Sequence, residues 1–108
     1  MIRPAVCADA PGIYTLICAL EETRFPQEIF MWGLDIMLGS PSHILLVSEE
    51  QGDIVGLLHM RMEFQLHHCG KVVEILELIV SREVRSKGIG AALLKACLLY
   101  TSDAADEA

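Results

Sequence analysis

The order of elements predicts an α+β domain built on a mainly antiparallel sheet. Three observations carry this. A short strand and two amphipathic helical stretches open the chain. Three apolar strands follow in close succession, and a charged, glycine-bearing loop then leads into a last helix. At 108 residues there is enough chain for one ordinary domain and too little for two. Hydrophobic residues make up 53% and charged residues 21%, which excludes a disordered tail and argues for a packed core.

Each element has its own signal. Ile2 to Val6 is short and apolar around Pro4, which suits an edge strand because proline cannot donate a ladder bond. Asp9 is placed to cap a helix, with Pro11 in the first turn where its missing N–H costs nothing. Ile13, Leu16, Ile17 and Leu20 then form a helical stripe that Glu21 and Glu22 close. Gln27 to Leu38 reads as a second helix, with Phe30, Leu34, Met37 and Leu38 on one side and Gly33 as a weak spot. After the loop 39–42 come His43 to Ser48 and Ile54 to Phe64, two strands around a turn at Gly52. Gln65 to Lys71 is the strand end and next turn. Val72 to Val80 is a third strand of the meander, apolar at both parities, which implies burial on both faces. Ser81 to Gly90 leads into the helical run Ala91 to Ala96.

Charge and hydropathy remove several functions. Eight Lys and Arg against fifteen Asp and Glu give −7, the wrong sign for a nucleic-acid or anionic-membrane surface. No apolar run approaches the roughly 20 residues that span a bilayer. The opening residues lack the apolar stretch of a secretion signal, so a cytoplasmic protein is expected. Cys7, Cys18, Cys69 and Cys97 show no paired spacing and read as reduced thiols.

The loop Arg85-Ser86-Lys87-Gly88-Ile89-Gly90 carries the most chemistry. Glycine-freed N–H groups at a helix N-terminus form an anion cradle suited to phosphate. A P-loop would need Lys and Ser/Thr after its second glycine, where Ala91 and Ala92 stand. A dinucleotide fingerprint would need a small residue at Leu93 and a parallel βαβ setting. What remains, Arg-x-x-Gly-x-Gly after a strand ending Leu78-Ile79-Val80, resembles the pyrophosphate loop of the GNAT superfamily of N-acetyltransferases. The resemblance covers Met1 to Ala96. It implies a three-layer α/β acetyl-CoA N-acyltransferase fold, with helices on both faces of a mixed, mainly antiparallel sheet.

Within that superfamily the chain resembles aminoalkylphosphonate N-acetyltransferases. The matching residues are Arg3-Pro4-Ala5, Tyr14-x-Leu16-Ile17-Cys18-x-Leu20, Gly52-x-x-Val55-Gly56, Phe64-x-Leu66-His67-His68 and Glu74-Ile75-x-Glu77-Leu78-x-Val80. The resemblance implies acetyl transfer from acetyl-CoA to the primary amine of a small aminophosphonate. Such an amine is protonated at neutral pH and needs a base. Glu74 and Glu77 are the candidates, since desolvation in an apolar strand raises a carboxylate's pKa. Their spacing of three puts them on opposite faces of a regular strand, unless the strand is splayed or bulged as the resemblance implies. The bland alternative for both is surface ion pairing. In the same picture the main chain of Leu78, Ile79 and Val80 pairs with the pantetheine arm and polarises the thioester carbonyl. Arg85 through Ala91 hold the pyrophosphate, with Arg85 and Lys87 either adding charge or lying in solvent.

His67 and His68 keep three readings: a structural turn, a contact to the substrate phosphonate, or a divalent-metal site with Glu74 or Glu77. Residues 97–107 fit the apolar stripe of the last helix poorly. They also read as one frame of the transposon-end adapter used in tagmentation sequencing libraries. The expectation is therefore that residues 1–96 are the N-terminal part of one acetyltransferase domain, truncated after the glycine-loop helix and inactive as it stands. Residues 97–108 would be adapter-encoded. The general acid for the leaving thiolate, often a tyrosine, would then lie beyond, and Tyr100 would not be it. Two other classes stay open: a module that binds acetyl-CoA without catalysis, and a small His/Cys metal-binding protein resting on His67-His68-Cys69. Homodimerisation is also left open.

Overall fold

A computed structural model describes residues 1–106, with side chains described through Thr101. Glu107 and Ala108, at the end of the expected adapter segment, lie outside the described residues. Strand β1 (Ile2–Pro4) leads through a 3₁₀ turn (Cys7–Asp9) into helix α1 (Ala10–Glu21) and then α2 (Gln27–Leu38). Strands β2 (His43–Glu50), β3 (Asp53–Gln65) and β4 (Gly70–Val80) follow, then a 3₁₀ segment (Arg82–Lys87) and helix α3 (Ile89–Asp106). The four strands form one antiparallel sheet in the order β1-β2-β3-β4. Pro4 is on the edge strand, as its missing donor requires.

Alternation along β2 and β3 splits the core in two. Leu45, Val47, Leu57 and Ile79 pack with Ile13, Leu16 and Leu34 of α1 and α2. On the opposite face, Leu46, Leu58 and Met60 pack with Ile89, Leu93 and Cys97 of α3. Helices therefore cover both faces, and the two central strands read as unbroken apolar runs because neither side meets water. Gly56 on β3 lets α3 come close. A Cβ there would stand 3.1 Å from both Ile89 Cγ2 and Leu93 Cδ1. Edge-on contact between Tyr14 and Phe30, 5.1 Å between ring centres, joins α1 to α2.

Three expectations need correction. Strand β4 is not buried on both faces: Val73, Ile75, Leu76 and Leu78 are 38–45% exposed, and of the apolar side chains on β4 only Ile79 is fully buried. Its outer edge has no partner strand among the described residues, and both helical layers centre on β2 and β3. The apolar pattern therefore marks an apolar surface. Helix α3 begins at Ile89 and runs to Asp106, past the expected run of Ala91 to Ala96. The sulfur of Cys97 lies 3.1 Å from that of Met60, and burial pushes its thiol pKa up, whereas Leu98 and Leu99 are exposed.

Asp9 is the third correction. Its side chain does not cap α1. Instead its two oxygens accept bonds from the Arg3 guanidinium at 2.7 Å each, and Oδ2 also accepts the Val6 N–H at 2.8 Å. The bidentate bond to Arg3, then the bond from Val6, holds the Asp9 carboxyl below the usual carboxylate range, against the opposing effect of burial. A depressed folded-state pKa contributes stability above the unfolded value of about 3.9 and loses it as pH falls further. Asp9→Asn should therefore cost about 1–3 kcal/mol at pH 7, as the charge is lost and the amide NH2 faces a donor that the second oxygen had accepted. The difference should shrink at a pH below that unfolded value. Urea melts at both pH values check this, and a constant difference would contradict the linkage.

Candidate active site

The decisive local feature is a β-bulge. His59 pairs with Glu77 across β3 and β4, yet Met60 pairs with Ile75, so Leu76 is an extra residue. One inserted residue turns an odd spacing into an even one. Glu77 thus shares a face with His59, and Glu74 with Arg61, the face that α1 and α2 cover. Both carboxylates reach one side of the sheet.

They have different surroundings. Glu77 Oε2 lies 3.9 Å from Nδ1 of His59, a ring only 3% exposed. A cavity of about 250 Å³ opens between the sheet and the two helices, walled by Ile13, Ile17, Phe30, Leu34 and Leu57, with His59 and Glu77 among its lining. Behind His59, Nδ1 of His43 is 2.8 Å from its Nε2. Burial first, then the neighbouring His59 and Arg61, pushes the His43 pKa below the usual imidazole range, which keeps that ring neutral at pH 7. Glu74 instead accepts a 2.7 Å bond from Arg61 Nη2. Glu74 and Glu77 are 57% and 46% exposed, so the desolvation expected for an apolar strand is not there: β4 is an edge.

The loop after β4 meets the strand end. A second cavity, about 550 Å³, is lined by Leu78, Ile79, Val80, Arg85, Gly88, Gly90 and Ala91, together with Leu20. Gly88, at φ 77°, ends the 3₁₀ segment and lets α3 start one residue later. The first N–H groups of α3, at Ile89, Gly90 and Ala91, have no acceptor within the helix, and the ladder begins with Ala92 donating to Gly88. A Cβ at Gly90 would stand 3.7 Å from Val80 Cγ2, in the space between loop and strand. This donor set fits a phosphate anion. Arg85 is tied down, its Nε donating to the Val80 carbonyl at 3.3 Å. Ser86 and Lys87 are exposed, and the Ile89 side chain belongs to the core.

His67 and His68 sit at the exposed tip of the β3–β4 hairpin, their ring centres 4.2 Å apart. From His59 to Gln65 the strand rises about 20 Å, at roughly 3.4 Å per residue. The structure does not bring these histidines to the carboxylates. Among the described residues no group of three or more His, Cys, Asp or Glu could hold a metal, and no helix is long and apolar enough to cross a membrane.

Sequence reasoning missed His43, His59 and Arg61. The available signal was His59 itself, a polar ring inside the apolar run of a strand that has no room for water.

The model of the Acetyltransferase (GNAT) family matches residues 10–106. The chain belongs to this family. The GNAT match extends into the segment whose sequence reads as adapter. The chain is also 32% identical over 93 residues to an aminoalkylphosphonate N-acetyltransferase of Salmonella typhimurium. That alignment takes in 86% of this chain and 60% of the relative, so the chain spans less than two thirds of the relative's length. Among solved structures, a GNAT family acetyltransferase of Staphylococcus aureus superposes with a TM-score of 0.85 at 18% identity, covering 97% of this chain and 79% of that one. Glucosamine-6-phosphate N-acetyltransferase of Arabidopsis thaliana gives 0.82 at 22%, covering 97% and 76%. At such identities these two likenesses show the fold: the α+β GNAT arrangement.

Proposed function

We propose that the protein is an acetyl-CoA-dependent N-acetyltransferase of the cytoplasm, acting on the primary amine of a small aminoalkylphosphonate. The observation that carries this reading is the Leu76 bulge, which sets Glu77 at a mostly apolar cavity, with the glycine-loop cavity at the end of the same strand. The identity to the Salmonella enzyme supports the substrate class.

In this reading Glu77 takes a proton from the substrate ammonium, directly or through one water, and leaves a neutral amine. The apolar walls from α1 and α2 line one side of the approach to Glu77. Glu74, bonded to Arg61, orients substrate at the margin of the site. Ile89, Gly90 and Ala91 offer N–H groups to the pyrophosphate, with Arg85 through Gly88 shaping the loop that places them. The open edge of β4 at Leu78, Ile79 and Val80 offers main-chain bonds to the pantetheine arm. When bound, acetyl-CoA supplies the acetyl thioester that the free amine attacks. The phosphonate contact assigned to His67 and His68 requires the hairpin tip to approach the bound substrate.

The same proposal takes residues 1–96 as acetyltransferase sequence and 97–108 as adapter-encoded. Reading the gene past the codon for Ala96 tests that division, and the protein it encodes is the one to assay. Incubated with acetyl-CoA and aminomethyl- or 2-aminoethylphosphonate, it should yield the N-acetyl product by mass spectrometry. Acetyl-CoA binding without acetylation of any small amine would identify a binding module instead.

A further inference from the structure

The function proposed for Glu77 leaves two buried imidazoles without a role. His59 is 3% exposed in the middle of β3, and nothing in an apolar core asks for a ring with two polar nitrogens there. His43 and His59 meet at 2.8 Å, nitrogen to nitrogen, with ring centres 5.0 Å apart. Such a contact needs one N–H and one bare nitrogen, so the protonation of one ring dictates that of the other. With both rings uncharged, two arrangements satisfy it. If His59 Nε2 carried the proton and donated to His43, bare His59 Nδ1 would face the Glu77 carboxylate, lone pair against negative charge. If His43 Nδ1 donates, His59 Nε2 accepts and the His59 proton sits on Nδ1, aimed at Glu77 Oε2, 3.9 Å away. Of these two, only the second is attractive at both contacts.

The geometry points to His59, locked in its Nδ1–H form by His43, as a positioning residue that holds the Glu77 carboxylate at the mouth of the apolar cavity. This rests on the proposed acetyltransferase function. At 3.9 Å the pair is an electrostatic contact, and a modest turn of Glu77 toward bound substrate would close it to a hydrogen bond. The charged or titratable groups packed around His59 come from the sheet: His43 on β2, Arg61 on β3 and Glu77 on β4. From α1 and α2 the cavity receives only apolar side chains, including Ile13, Ile17, Phe30 and Leu34, so no helical carboxylate competes for the proton. An N–H aimed at the carboxylate fixes which way its oxygens face, so losing that N–H should misdirect the base while leaving the glycine loop untouched.

Two measurements test this. Long-range ¹⁵N–¹H correlation spectra of the 108-residue chain at pH 7 to 8 should show both His43 and His59 protonated at Nδ1. A His59 protonated at Nε2 overturns the assignment, whatever the enzyme does. In the acetyl-transfer assay, His59→Phe should lower kcat for the amine about tenfold and leave KM for the amine nearly unchanged. The KM for acetyl-CoA should stay put. His59→Asn, whose amide N–H can replace Nδ1–H, should bring kcat back. An unchanged kcat in a folded His59→Phe protein, or no rescue by Asn, overturns the positioning role. If instead Glu77→Gln itself retains full activity, the base assignment fails while the tautomer result stands on its own.

Discussion

Glu77→Gln should lower the rate of acetyl transfer by about 10²–10⁴-fold at neutral pH, the usual worth of a positioned acid–base group. Gln keeps the shape of the side chain and removes its basicity, so affinity for acetyl-CoA, whose proposed site is the loop beyond β4, should hardly change. The pH profile separates this from simple damage. For the wild type kcat/KM should rise with pH as base and amine lose protons. In the variant, activity should recover at high pH, where free amine is already present. Glu74→Gln is the matched control. It turns the 2.7 Å charge-assisted bond from Arg61 into a neutral one but leaves the cavity and its carboxylate intact, so its effect should fall on KM for the amine. Near-normal turnover in Glu77→Gln together with a slow Glu74→Gln would reverse the two roles.

The contrast between these carboxylates shows where sequence reasoning reaches. The meander, the edge position of β1 and helix α2 were all legible, because each depends on local chemistry: alternating apolar residues, a proline without a donor, a helical stripe. Helix α2 in particular spans Gln27–Leu38 as read. Partnership across strands was not legible. That Glu74 would meet Arg61 and Glu77 would meet His59 depends on a register set by one extra residue, and Leu76 looks like any other leucine of its strand. A bulge was anticipated only through the family resemblance.

Burial failed for a related reason. Apolar residues at both parities of β4 and of β2 look alike in sequence, yet β2 is central and β4 lies at an edge among the described residues. Asp9 shows the same limit on a smaller scale. A helix cap and a bidentate partner for Arg3 ask for the same short carboxylate, and the arginine lies on the neighbouring strand, where helix-start rules do not look.

The glycine loop gives the second large effect, and the structure separates its two glycines. Gly90→Val should weaken acetyl-CoA binding about 10- to 100-fold, the loss of one charge-assisted bond of roughly 1.5–3 kcal/mol to a phosphate. Its Cβ would make only ordinary contact, 3.7 Å from Val80, so the fold should tolerate the change while the methyl groups close the approach to the helix N-terminus. Gly88→Val is a different experiment. Nothing lies within 4 Å of a Cβ there, but φ is +77°, and a β-branched residue in that conformation is strained by about 1–2 kcal/mol. Its weakened binding should therefore come with a lower Tm, whereas Gly90→Val should keep a near-wild-type Tm. Gly88→Asn, which tolerates the left-handed conformation, should recover much of that stability. Calorimetric titration with acetyl-CoA and with acetyl-pantetheine, which lacks the pyrophosphate, decides whether the loop acts on the phosphates. Gly90→Val should cost affinity for the first and none for the second, and an equal loss for both would move the phosphates away from this loop.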